Sequence, residues 1–195
     1  MPVTTRILTG AALDAALDDV AALRIAVFRD WPYLYDGDLS YERRYLETYR
    51  TSQGAILVGA FEGARLIGAS TGTPLADHPE FAAAFAATPY DIARTFYCAE
   101  SVLLPAFRGR GLGHAFFEAR EGHARALGHT HAAFCAVIRP QDHPARPAAY
   151  RPLDPFWRKR GYAPLPGVTA RFSWRDLRMA NETEKPLQVW LRALR

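Results

Sequence analysis

Between Thr95 and Leu127 an apolar segment runs straight into a turn containing three glycines and out into a helix, and this junction constrains the fold more than any other stretch. Thr95–Leu104 is rich in β-branched, aromatic and aliphatic residues and is bounded by Pro105, so it reads as a central strand rather than an exposed loop. From Gly111 the period changes. Leu112, Ala115, Phe116, Ala119, His123 and Ala126 recur at spacings of three and four, which lays one apolar stripe along a helix, and Gly128 supplies its C-terminal stop.

At the junction, Gly109, Gly111 and Gly113 are interleaved with Arg108 and Arg110, where the helix's first-turn N–H groups face outward. Glycine lets a ligand approach the backbone, the helix N-terminus carries partial positive charge, and the arginines add donors, so the turn suits a phosphate or pyrophosphate. A plain strand-to-helix turn is the alternative. A Walker loop would need Gly-Lys-Ser/Thr, but His114 and Ala115 follow Gly113. A dinucleotide fingerprint would place its third glycine at His114 and an acid about 20 residues on, where the chain has His131, Ala132, Ala133 and Phe134.

Arg108-Gly109-Arg110-Gly111-Leu112-Gly113 resembles the pyrophosphate loop of the GCN5-related N-acetyltransferases (GNAT), Arg/Gln-x-x-Gly-x-Gly/Ala after a strand, at every fixed position. Downstream, Phe156-Trp157-Arg158-Lys159-Arg160-Gly161-Tyr162 is similar to that family's second signature, an aromatic pair followed by a basic stretch and Gly-aromatic. The resemblance implies one domain over residues 1–195, an α/β fold with a mixed, partly splayed sheet of about six or seven strands flanked by helices. It also implies acetyl transfer from acetyl-CoA to an amine, on a small molecule or a peptide. The main alternative is a catalytically silent acyl-CoA-binding or sensing module.

By the same resemblance, backbone groups of Val102, Leu103 and Leu104 hold the pantetheine arm and the thioester carbonyl, and the segment Arg108, Gly109, Arg110, Gly111, Leu112, Gly113 and His114 holds the pyrophosphate. Glu100 is the carboxylate on the same strand, where several family members carry a general base. A strand this apolar is expected to desolvate the carboxylate and favour its taking a proton; a paired structural acid is the alternative. Trp157 departs from the pattern, because most members have there a tyrosine that protonates the departing thiolate, and an indole N–H is no acid. Another hydroxyl, such as Tyr150 or Tyr162, then reaches the sulfur, or the thiolate leaves unassisted.

The chain's 195 residues suffice for one domain with a sizeable core, and 23% charged with 49% apolar residues describe an ordinary soluble protein. The net charge of +4 comes from arginines spread from Arg6 to Arg195, which argues for a polyanionic cofactor and against nucleic acid, whose binding would show steep salt dependence. Cys98 and Cys135 lie in apolar strands without metal-type spacing, and buried thiols and no metal are expected. Met1–Gly10 has no leader pattern and no apolar run reaches membrane length, so the expectation is a cytoplasmic protein without membrane contact.

Thr4–Leu8 reads as a strand, and Leu13, Leu17, Val20 and Leu23 mark a first helix. Aromatic residues then crowd the chain, with two helices placed on either side of an irregular loop near Trp31–Leu39. Trp31, Tyr33, Tyr35 and Asp36 in this loop are candidate substrate-binding residues, since aromatic faces beside a carboxylate suit a cation, while Tyr41, Tyr45 and Tyr49 have the spacing of a packed helix face. Ala55–Glu62 and Arg65–Pro74 form a hairpin; Pro79–Ala87 is a short helix or excursion, with His78 read as a surface residue. His131–Ile138 is a buried strand parallel to the central one, followed by a stiff loop, Arg139–Arg151, that overhangs the site. Asp154 is read as the N-cap of a short helix to Arg160; Thr169–Trp174 and Leu187–Leu194 are closing strands, the last offering an edge for pairing in a homodimer.

Overall fold

The computed structural model describes residues 2–195. The elements are β1 (Val3–Leu8), α1 (Gly10–Phe28), α2 (Leu39–Thr51), β2 (Ile56–Glu62), β3 (Arg65–Pro74), α3 (Pro79–Ala82), β4 (Thr95–Tyr97), β5 (Ser101–Leu103), α4 (Leu112–Ala126), β6 (His131–Val137), α5 (Asp154–Lys159), β7 (Ala163–Arg175) and β8 (Glu182–Ala193). The strands form one open mixed sheet in the order β1-β2-β3-β4-β6-β8-β7, with β5 lying against β3 off this path. Among the described residues, only β4 and β6 pair in parallel.

Both faces are covered, which is why β2 is buried along almost its whole length. Ile56, Val58 and Ala60 share a core with Phe116, Phe117 and Ala124 of α4, whereas Leu57 and Phe61 pack with Leu13, Val20 and Leu46 of α1 and α2. A third cluster joins Ala133 and Cys135 of β6, Leu187 and Val189 of β8, and Phe81 and Phe85. The stripe of α4 is rotated from the expected one. Phe117, Arg120, Glu121 and Ala124 are buried while Ala126 is exposed, because the sheet covers about half the helix and takes in two charged side chains that are fully paired. Its C-terminal stop is a Schellman motif: His129 N–H donates to Ala124 O (3.0 Å), Gly128 N–H donates to Arg125 O (2.9 Å), and Gly128 has φ +82°.

The expected single strand Thr95–Leu104 is two strands, which brings the total to eight. Cys98 N–H makes the last bond to β6, at Ala133 O (2.8 Å), and Ala99 N–H then turns to Thr71 O on β3 (3.0 Å). From there β5 follows β3 alone, while β6 continues against β8, so a gap opens between β5 and β6. The break is filled from α4. Arg120, 1% exposed, donates to the carbonyls of Thr71 (3.2 Å), Glu100 (2.9 Å) and Phe116 (3.3 Å) and to Ser101 Oγ (2.8 Å). These bonds answer the demand that buried carbonyls in an irregular stretch find donors.

Two further readings are corrected. β8 lies between β6 and β7 with both edges paired, so Leu187–Leu194 offers no strand edge to a second copy. Asp154 is the first residue of α5 rather than its cap, because Leu153 occupies the capping position. Among the described residues, no helix is long and apolar enough to cross a membrane.

Candidate active site

The glycine-rich turn presents a run of free donors. Among the described residues, the N–H groups of Gly109, Arg110, Gly111, Leu112 and Gly113 make no hydrogen bond within the protein, whereas those of Arg108 and His114 do, to Pro105 O (3.2 Å) and Gly111 O (2.9 Å). Gly109 and Gly111 have φ of +76° and +82°, with open space where a Cβ would stand. That conformation favours glycine and leaves room for a ligand against the backbone. His114 is tied down: Arg160 Nη1 donates to its Nδ1 (3.0 Å), and Arg160 Nη2 (3.1 Å), Arg192 Nη1 (2.8 Å) and Tyr162 Oη (3.1 Å) converge on the buried Glu121. The second signature therefore braces the first, with Phe156 lying against His114.

Of the backbone groups expected along the gap, only Leu103 is free to serve. Leu104 N–H donates to Ile67 O (3.0 Å) and Glu100 O accepts from Thr71 N–H (3.1 Å), so by strand alternation Val102 also turns its polar groups toward β3. Leu103 C=O accepts from Arg108 Nε (3.1 Å), which leaves the Leu103 N–H directed into the gap and part of Arg108 committed to holding the strand.

A cavity of about 120 Å³ adjoins the strand break, with Tyr97, Ala99 and Glu100 in its wall. Phe28, Tyr33, Tyr35, Tyr45, Phe172 and Trp174 surround it, and Arg24, Glu42, His78 and Glu80 supply its charged and polar groups. Glu100 is not isolated in an apolar strand. Its carboxylate is paired with Arg24 of α1 and accepts from Tyr45 Oη (3.0 Å). Arg24 also pairs with the fully buried Glu42 of α2 and lies over the Tyr45 ring at 4.1 Å. Burial works against the charge on Arg24, but the carboxylates of Glu100 and Glu42 outweigh it and hold the guanidinium protonated. One cation thus faces two carboxylates, and the cavity keeps a negative surplus. Burial raises the Tyr33, Tyr45 and Tyr97 hydroxyls, so they stay neutral.

Of the four loop residues expected to bind substrate, Tyr33 and Tyr35 line the cavity and Trp31 and Asp36 do not. Trp31 packs against His143 (5.1 Å) and Tyr150 (6.0 Å) of the overhanging loop, and Asp36 pairs with Arg175 (2.9 Å) and Arg29 (3.7 Å). The reason is a clamp: Arg139 donates to Pro32 O (2.9 Å) and Tyr33 O (2.7 Å) and grips Asp176 with two bonds (2.7 and 2.8 Å). His78, read as a surface residue, is 9% exposed and lines the cavity. Tyr162 is withdrawn from any role at the sulfur, since it is 2% exposed and bonded to Glu121. Trp157 packs on Phe134 (5.0 Å) and Trp190 (5.1 Å).

The clamp has a measurable pH signature. Burial raises Asp176, but the bonds and charge of Arg139, with Lys185, outweigh it and hold its carboxyl below the ordinary 3.8. A lowered carboxyl stabilises the fold above its unfolded value and loses that contribution as pH falls through its folded value. Asp176→Asn should therefore cost about 1–3 kcal/mol at pH 7, and melting curves should show the gap from wild type closing below about pH 4. A gap that persists unchanged in acid would mean the ion pair is not its source.

A family model described as the Acetyltransferase (GNAT) family matches residues 20–162. The chain belongs to the GNAT acetyltransferase family. No curated protein matches it in sequence. The solved structures that share this GNAT fold include an N-acetyltransferase from Staphylococcus aureus Mu50, with 11% identity, TM-score 0.64 and all of both chains covered. Another is yncA from Salmonella typhimurium, in a structure with its cofactor acetyl-CoA, at 12% identity and TM-score 0.61, covering 100% of this chain and 95% of that one. A ribosomal-protein-alanine N-acetyltransferase from Brucella melitensis shares 14% identity with TM-score 0.62, covering 98% and 99%. At these identities the likeness speaks for the GNAT fold alone.

Proposed function

We propose that the chain is an N-acetyltransferase that moves the acetyl group of acetyl-CoA to a cationic amine held in the aromatic cavity. The observation that carries this reading is that the break residues Ala99 and Glu100 line the cavity, so an amine bound there would sit beside the gap between β5 and β6. The residues present fit the cofactor: five free amides and two arginines follow β5, and an unpaired N–H lies along the gap. Acetyl-CoA would supply the activated acyl thioester. Gly109–Gly113 and Arg108 would bind its pyrophosphate, and the Leu103 N–H would polarise the acyl carbonyl. Tyr33, Tyr35 and Tyr45 with the carboxylates would orient the ammonium, and Glu100 would take its proton, directly or through a water. With Trp157 and Tyr162 both committed to the core, CoA would leave as the thiolate, protonated by Tyr150 or by solvent, which a thiol of ordinary pKa near 8.5 permits.

Two expected outcomes follow. Calorimetry should give micromolar acetyl-CoA affinity, nearly retained by 3′-dephospho-CoA, and Gly111→Val or Arg108→Glu should each cost about 2 kcal/mol of binding. Unchanged affinity in both variants would end the cofactor assignment. In turnover assays over an amine panel, alkylamines protonated at neutral pH, including those that carry an aromatic ring, should surpass weakly basic amines. Tyr33→Ala and Tyr35→Ala should raise the acceptor's KM roughly tenfold. Tight acetyl-CoA binding without turnover on any amine would favour a silent acyl-CoA-binding module instead.

A further inference from the structure

We infer that His78 is a specificity-determining contact for the acceptor: a neutral imidazole whose Nε2–H donates to an uncharged hydrogen-bond acceptor, a hydroxyl or carbonyl oxygen, carried a few atoms from the reacting amine. This rests on the reading of the aromatic cavity as the acceptor site. His78 stands between β3 and α3, lines the cavity, and is packed edge-on to Tyr97 (4.9 Å), Phe172 (6.0 Å) and Tyr45 (6.4 Å), the tyrosine that binds Glu100.

Its tautomer follows from its own backbone surroundings. Nδ1 accepts from the Phe81 N–H (3.3 Å) and so caps α3, which places the proton of the neutral ring on Nε2. Burial lowers its basicity, against the opposing charge of Glu100, and keeps the ring uncharged at neutral pH. Nε2 makes no hydrogen bond among the described residues, and it is not one of the buried polar atoms sealed off without a partner. On a side chain this buried, an accessible N–H of a residue that lines the cavity has the cavity's occupant as its natural partner.

The direction of the bond carries the specificity. The cavity's phenols can donate or accept, and the Trp174 Nε1–H is already given to Tyr33 O (3.0 Å), but a neutral imidazole N–H can only donate. The partner is also uncharged, because Arg24 is committed to Glu42 and Glu100, and with Glu80 the cavity carries more negative than positive charge. A substrate carboxylate would meet that surplus, whereas a hydroxyl or carbonyl would not.

The test compares amino alcohols of two to five carbons with alkylamines having the same number of heavy atoms, in the wild type and in three variants. His78→Asn keeps a capping oxygen for Phe81 but cannot reach the Nε2 position, His78→Gln places an amide N–H near it, and His78→Phe keeps only bulk. At the best chain length the wild type should favour the amino alcohol in kcat/KM by about tenfold. The ratio should fall to about one in the Asn and Phe variants and largely return in Gln. A purely structural role would depress both substrates together and leave the ratio alone, which would overturn the inference. A second readout needs no turnover: in a histidine ¹⁵N–¹H spectrum, the His78 Nε2–H, identified by its absence from the Gln variant, should shift on adding 3-amino-1-propanol and not butylamine. The shift without acetylation of any amine would sink the acetyltransferase reading and leave His78 as a hydrogen-bond donor to a hydroxyl bound in the cavity. Acetylation with neither the shift nor a change of ratio would do the reverse, and absence of both turnover and shift would remove both.

Discussion

Glu100→Gln is expected to leave acetyl-CoA affinity within about twofold of wild type while lowering turnover by about 10² or more. The substitution keeps the shape of the side chain, and its carbonyl oxygen can still accept from Arg24 or from Tyr45 Oη, but it can no longer take the ammonium proton. Affinity should hold because the free amides from Gly109 to Gly113 lie beyond β5 and make no bond to Glu100. The loss should be smaller for acceptors with weakly basic amines, which arrive already deprotonated. Near-normal turnover in the Gln variant, or loss of acetyl-CoA binding along with it, would make Glu100 structural and move the base elsewhere.

Arg24→Met should destabilise the fold by about 3–5 kcal/mol, which for a chain of this size lowers Tm by about 10 °C. It removes the one cation paired with both Glu42 and Glu100 and leaves two buried carboxylates facing each other. Each carboxyl then gains by taking a proton. The penalty should be small in acid, where both are protonated in the folded and unfolded chain alike, and grow as pH rises beyond the ordinary carboxylate range. Adding Glu42→Gln to Arg24→Met should recover part of the loss, since one of the two stranded charges is gone. A loss independent of pH, with no recovery in the double variant, would assign the effect to packing over Phe28 and Tyr45 instead.

The elements whose physics is local were legible from the sequence. Gly111 at positive φ starting α4, Gly128 ending it, and the apolar period of β2 depend on residues close by in the chain. The splayed sheet came with the family resemblance, but the division of Thr95–Leu104 into two strands did not: Glu100 and Ser101 are its one local sign, and the donors that sustain it come from Arg120, on a helix formed later. The Arg24–Glu42 pair did leave a trace. Arg24 follows Val20 by four in the buried stripe of α1, and Glu42 precedes Leu46 by four in that of α2, so two consecutive helices each carry a lone charge, of opposite sign, on the core face. Composition could pick out the crowd of aromatics near Trp31 but not which of them face inward, since the path of that loop is set by Arg139 and Asp176, far away in sequence. His78 was misread for a similar reason: a polar ring between Asp77 and Pro79 looks like loop surface until its use as a cap for Phe81 is seen.

Arg120 also links two regions that would act on opposite ends of one long ligand. Its stem belongs to α4, whose first residues and the turn leading into them carry the free amides, and its guanidinium holds the peptides where the sheet parts. The proposed grip on the phosphates and the proposed slot for the acyl arm would therefore be joined through Arg120, with their spacing set by the length of one side chain and two turns of helix. A ligand spanning both would meet a ruler already cut to length, and little of its binding energy would be spent on ordering the protein that receives it.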